Sequence, residues 1–186
     1  MNLRDSNIEK LKNRTFDVLI IGAGFAGLGM AIRLRQEGIH NIIILERSDQ
    51  VGGTWRDNQY PGAACDIPSN LYSYSFAPNP NWSRSYSGSA EILDYVHAMV
   101  RDFDLLPLIR FEQAVNGLAF DLQQGLWRAT TSAGECFSGR AAVMASRPLS
   151  NCSLPDIPGI DGYEGTMIHS ARWDHGYDFK GKKVAV

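Results

Sequence analysis

Cysteine is scarce, at three residues in 186. Cys65, Cys136 and Cys152 are widely separated and odd in number. None forms a Cys-x-x-Cys pair or sits near a His cluster at metal-ligand spacing, so reduced thiols and no metal site are expected. An excess of one charge is also missing. Eighteen Lys and Arg stand against twenty Asp and Glu, the net charge is -2, and the basic residues are scattered. Nucleic acid and anionic lipid are therefore not expected as partners. Long apolar runs are absent too, and the opening Met1 to Arg14 is polar, without the apolar centre of a signal peptide. Neither membrane insertion nor secretion is expected, which leaves a cytoplasmic location. There is no internal repeat or low-complexity tract. What is present, 44% apolar and 20% charged residues, suits a soluble globular chain of one domain or slightly more.

Phe16 to Ile21 is a short apolar run ending at glycine, the pattern of a buried parallel strand. Ala26, Met30, Ala31 and Leu34 then recur at helical spacing up to Gly38, and Ile42 to Leu45 form a second run. Together they predict a β-α-β unit. Val51 to Gly88 shows no sustained period and reads as a long functional loop. Ser89 is placed to cap a helix over about Ala90 to Phe103, with Ile92, Val96, Met99, Val100 and Phe103 on one face. Strands are predicted at Val115 to Phe120, Leu126 to Thr131 and Ala141 to Ala145, as a small antiparallel sheet returning to the main one. Leu154 to Gly159 is too proline-rich for a regular element and reads as a linker, and Lys182 to Val186 as the start of another strand.

Gly22-Ala23-Gly24-Phe25-Ala26-Gly27 fits G-x-G-x-x-G between a strand and a helix, with Glu46 nineteen residues after Gly27. The first glycine allows the tight turn, the second admits a pyrophosphate, and the third lets helix and strand pack closely. The helix start offers free N–H groups to phosphate. Glu46, at the end of the second strand, can accept hydrogen bonds from both ribose hydroxyls and would repel the extra phosphate of NADP. FAD or NAD is therefore the expected dinucleotide.

The Gly52-Gly53-Thr54-Trp55 turn and the Gly53 to Asp66 loop resemble the flavin-side loop of FAD- and NADPH-dependent flavoprotein monooxygenases of the Baeyer-Villiger type. Tyr163-x-Gly165-x-x-x-His169-x-x-x-Trp173-Asp174 resembles that family's fingerprint, with tyrosine in the first place, and the likeness extends from Phe16 to Val186. Where the related disulfide reductases carry a redox cysteine there is Trp55, so a dithiol relay has no basis. The resemblance implies an α/β fold, the Rossmann-like FAD-binding domain of a two-dinucleotide-binding-domain flavoprotein, truncated. It divides the chain into an arm (1–15), an incomplete FAD domain (16–150), a linker bearing the fingerprint (151–180) and the first strand of an NADPH domain (181–186).

The activity implied is NADPH- and oxygen-dependent conversion of a ketone to an ester or lactone. The cofactor supplies the hard chemistry, and the protein must hold it dry and near a positive charge. Gly22, Gly24, Phe25, Gly27, Glu46, Gly53 and Thr54 would hold FAD. Trp55 and Tyr72 correspond to flavin-contacting positions, and Val115 to the strand residue whose backbone meets the adenine. Asp66 corresponds to the carboxylate that orients a catalytic arginine from the family's downstream half. His169 and Trp173 correspond to residues that couple the two dinucleotide domains and are not expected to move protons. One departure stands out: the family's Ala-Thr/Ser-Gly becomes Ala145-Ser146-Arg147, placing a long side chain where glycine is usual. An amine- or sulfur-oxidising relative and a truncated, non-catalytic flavin-binding fragment are the alternatives.

Overall fold

The protein is described by a computed structural model covering residues 14–146 and 152–186. Among the described residues, six strands form one sheet: β1 (Thr15–Ile21), β2 (Ile42–Leu45), β3 (Ile109–Arg110), β4 (Val115–Asp121), β5 (Leu126–Thr131) and β6 (Cys136–Met144). Their spatial order is β3-β2-β1-β6-β5-β4. β1 pairs in parallel with β2 and with β6, and β2 in parallel with β3, whereas β5 pairs antiparallel with both β4 and β6. β6 begins at Cys136, five residues before the expected start. Its first half pairs with β5 through Cys136 to Gly139 and its second with β1 out to Met144, so one strand joins the two halves of the sheet.

Alternation along β1 and β2 builds two cores. Val18, Ile20, Ile42 and Ile44 face helices α1 (Phe25–Gln36) and α3 (Ser89–Asp102), meeting Leu28, Ala31, Ile32, Val96 and Met99. Phe16, Leu19, Ile21, Ile43 and Leu45 face the other way, against Ala129 and Phe137. The α1 face differs from the expected one, because Met30 is exposed and Ala26 also points outward. Gly27, Leu28, Gly29 and Ile32 are buried along with the expected Ala31. Two of these are glycines, which carry no apolar side chain yet bring the helix close to its neighbours. A Cβ on Gly27 would lie 2.0 Å from the Gly22 carbonyl oxygen.

The long loop contains a short helix, α2 (Thr54–Asp57), and a 3-10 turn (Ser69–Leu71), and is otherwise fixed by tertiary bonds. Ser69 and Ser87 are both buried, and the Ser87 N–H donates to Ser69 Oγ at 2.7 Å. Cys65 N–H donates to the Ser87 carbonyl, and Ser89 N–H to that of Ala63. Ser89 does not cap α3. Gly88 occupies the cap, without a side-chain bond, and Ser89 is the first helical residue. Glu91 of the first turn accepts from the Ser83 N–H and Ser83 Oγ, tying down the loop; these bonds hold its carboxyl below the usual range.

Tyr74 packs on Gly29 and donates its hydroxyl hydrogen bond to the Phe25 carbonyl. Its own N–H donates to Tyr95 Oη, which in turn donates to the Ala77 carbonyl at 2.7 Å. Burial, followed by the neighbouring Tyr95, pushes the Tyr74 phenol well above its usual pKa. A raised folded-state value means the neutral phenol stabilises the fold below the unfolded value of about 10, and that this contribution is lost as pH rises beyond it. Alkaline unfolding of the parent chain should therefore steepen above about pH 10, and Tyr74→Phe should flatten it while lowering neutral-pH stability by about 1 kcal/mol. Denaturant melts at pH 7 and pH 11 check both statements.

Lys182 to Val186 joins no strand, and Val184 is exposed. A strand needs at least one neighbour to pair its backbone with, and no described strand pairs with it. Arg147 lies outside the described residues. Cys65, Cys136 and Cys152 are free thiols.

Candidate functional site

A cavity of about 340 Å³ opens where β1, β2 and β6 end. Parallel strands place loops and helix starts at this edge, where a topological switch forms a crevice for nucleotides. Gly22 makes the turn out of β1 with φ +106°, a conformation that strains any side chain, and its N–H donates to the Leu45 carbonyl. Gly24 precedes α1 and faces Gly53, which precedes α2. Gly53 has φ +53°, and a Cβ there would sit 3.3 Å from Gly24 Cα. Two bare backbones thus meet on the cavity wall at the start of a three-turn helix.

Glu46 is only 4% exposed. Its carboxylate accepts from Ala23 N–H at 2.8 Å and Ser48 N–H at 3.0 Å, and pairs with Arg56 Nη1 at 3.3 Å. It therefore buttresses the glycine turn as well as standing at the cavity wall. Arg56 also pairs with Asp57 at 2.8 Å and donates to the Gln50 carbonyl. Burial works to lower the Arg56 pKa, but Asp57 and Glu46 outweigh it and raise the value. The cation is thereby fixed beside the carboxylate.

Of the residues expected at the site, Gly22, Gly24, Phe25, Glu46, Gly53, Thr54, Trp55 and Val115 line the cavity. Gly27 lies buried behind it, where α1 meets the turn. Tyr72 is one layer back: Trp55 Nε1 donates to its hydroxyl at 3.1 Å, and its ring meets Phe25 edge-on at 5.3 Å. Tyr72 thus reaches the cavity through Trp55 and Phe25. Asp66 is exposed on the loop and does not line the cavity. Replacing Trp55 with Phe should cost about 1 kcal/mol through loss of the Tyr72 bond, measured by urea unfolding.

Gln113 and Ala171 also line the cavity and were not expected, and Arg56, Asp57 and Ser146 line it from segments expected near the cofactor, though not as individual contacts. Arg56 and Asp57 enter through the short helix after the Gly-Gly turn, whose position in the sequence was the available signal. Ala171 enters because the fingerprint segment folds back. His169 Nδ1 accepts the Ala171 N–H at 3.0 Å, capping a single turn over Ser170–Arg172, and Trp173 stacks on Phe179. A second hollow lies between Arg56, Asp57 and Gln59 on one side and Ala171 to Trp173 and His175 on the other. Among the described residues, no three His, Cys, Asp or Glu are grouped to hold a metal ion, and no helix is long and apolar enough to cross a membrane.

Residues 20–88 match the NAD(P)-binding Rossmann-like domain family. A protein named Baeyer-Villiger monooxygenase from Streptomyces coelicolor is 50% identical over 91% of this chain and 32% of its own length. The structure of an oxidized steroid monooxygenase bound to NADP superposes with a TM-score of 0.80 at 40% identity, over 90% of this chain and 33% of the other. That of OTEMO in complex with FAD and NADP gives 0.81 at 32% identity, over 91% and 34%. The chain spans about a third of the length of the relatives it matches. Over that span it is similar in sequence and in fold to Baeyer-Villiger monooxygenases.

Proposed function

We propose that this chain is the FAD-binding N-terminal part of an NADPH- and oxygen-dependent flavin monooxygenase that converts ketones to esters or lactones, working in the cytoplasm. The observation that carries the FAD reading is Gly24. Its backbone, φ -86° and ψ -171°, is open to any residue, and an added Cβ would meet only Gly53 Cα at 3.8 Å. The fold does not need a glycine here. A pyrophosphate lying along the Gly24 backbone at the start of α1, beside the Gly53 turn, does.

The donor set fits a dinucleotide. The N-terminus of α1 directs free N–H groups and the positive end of the helix dipole at a pyrophosphate. Glu46 presents a carboxylate edge to a ribose, and its charge opposes a 2′-phosphate, which favours FAD over NADP at this cavity. The Val115 backbone borders the adenine end. Trp55, with Tyr72 behind it, borders the flavin end and excludes water from it. Bound FAD would take reducing equivalents from NADPH and pass them to oxygen. Asp66 would orient an arginine supplied by a part of the enzyme that this chain does not span. The Ala171 to His175 segment would sense the state of the cavity through Arg56 and Asp57, linking it to the neighbouring NADPH domain.

The reaction is tested by a chimera in which this chain replaces the corresponding third of the Streptomyces coelicolor relative. NADPH- and oxygen-dependent formation of lactone from cyclohexanone is the expected result. N- or S-oxygenation with no ketone product would favour the amine- or sulfur-oxidising reading instead.

A further inference from the structure

The charged side chains on the cavity wall, among the described residues, are Glu46, Arg47, Arg56 and Asp57. Their charges alternate along one row. Glu46 Oε1 meets Arg56 Nη1 at 3.3 Å, Arg56 Nε meets Asp57 Oδ1 at 2.8 Å, and Asp57 Oδ2 meets Arg47 Nη2 at 3.4 Å. Asp57 thus sets one carboxylate oxygen against each arginine. Its place is fixed by α2, where Asp57 N–H donates to the Gly53 carbonyl at 2.9 Å.

Two guanidinium groups beside the ribose-facing carboxylate are unexpected in a site that refuses a 2′-phosphate. A nearby arginine is how Rossmann sites accommodate that phosphate, and the guanidinium fork matches its oxygens in pairs. Arg47 directly follows Glu46 in the chain. The Glu46 charge, moreover, is already matched by Arg56, so the balance of the wall is decided between Arg47 and Asp57.

We propose that Asp57 is a specificity-determining residue for the cofactor: by holding Arg47 it withholds the cation that a 2′-phosphate would need, completing the discrimination that Glu46 begins. The inference rests on the FAD reading of this same cavity. With Asp57 ionised the four side chains sum to zero charge, and without it they sum to one positive charge. Arg56 keeps Glu46 and the Gln50 carbonyl when Asp57 is neutralised, and its side chain is only 12% exposed. Arg47, at 34%, has room to turn towards a ligand. Asp57 would take no part in the oxidation itself.

The test is a flavin-fluorescence titration of the purified chain with FAD and with FAD phosphorylated on its adenosine 2′-hydroxyl. The parent should prefer FAD by about tenfold or more. Asp57→Asn, which keeps the shape, should bind the phosphorylated ligand about tenfold more tightly than the parent does, with FAD affinity within about threefold. That gain should shrink in about 0.5 M salt, and Arg47→Gln added to Asp57→Asn should abolish it. An Asp57→Asn variant that shifts both ligands alike marks a bracing role and overturns the inference, leaving the FAD reading intact. So does a gain that survives Arg47→Gln, or a parent chain that binds the two ligands equally. Failure of the parent chain to bind either ligand overturns both.

Discussion

Gly24→Ala should weaken FAD binding by about tenfold to a hundredfold while leaving the melting temperature of the ligand-free chain within about 2 °C of the parent. The methyl group meets ordinary van der Waals space in the protein, 3.8 Å from Gly53 Cα. In the complex it would enter the space that the pyrophosphate needs, and overpacking of about 1–3 kcal/mol is a factor of about 5 to 150 in affinity. Gly27→Ala is the matched control with the opposite profile. Its Cβ would lie 2.0 Å from the Gly22 carbonyl oxygen and 3.3 Å from Ala145 Cβ, so β1, α1 and β6 must separate. That should cost about 3 kcal/mol of stability. Melts and FAD titrations of the two variants separate a glycine kept for a ligand from one kept for packing. If Gly24→Ala instead melts far lower with FAD affinity intact, the cleft is structural.

The second large effect is expected at Glu46. Glu46→Leu removes the acceptor for two backbone N–H groups and leaves Arg56, whose side chain is 12% exposed, with Asp57 as its remaining carboxylate. Breaking a buried pair from one side costs about 3–5 kcal/mol, since the partner's charge stays desolvated. Glu46→Gln keeps an acceptor and should cost about 1–2 kcal/mol. Both should weaken FAD, because each loses the anionic acceptor for the ribose hydroxyls. Urea unfolding with and without FAD tests this: a parent-like midpoint for Glu46→Leu would show that the carboxylate does not brace the turn.

The parts of the fold that could be read from sequence are those where burial is two-sided. Ile42 to Leu45 was bounded to the residue and β1 to within one, because a strand packed on both faces shows as an unbroken apolar run. The first half of β6 was hidden because Cys136 to Arg140 is mixed in polarity, and its strand character comes from pairing with β5 and β1. β3, two residues long, is defined only by its ladder to β2. The α1 face was misread at Met30 because glycine contributes to close packing without contributing hydropathy.

The site divides in the same way. The turn from Gly22 to Gly27, Glu46 and the Gly-Gly turn are contiguous signals with fixed spacing, and they stand on the cavity. Arg56 and Gln113 meet there from segments more than fifty residues apart. Gln113 is placed by the β2 to β3 pairing, which no local pattern announces. Trp55 and Tyr72 could be named one at a time, but not the hydrogen bond that joins them.

The central claim is that the cavity above β1, β2 and β6 takes FAD. Titration of the purified chain with FAD, FMN and NADP, followed by flavin fluorescence and by calorimetry, tests it most directly. The account predicts one FAD per chain, with FMN weaker for lack of the adenosine half and NADP excluded by Glu46. Saturable binding of NADP in preference to FAD, or no FAD binding by a folded chain, would contradict it.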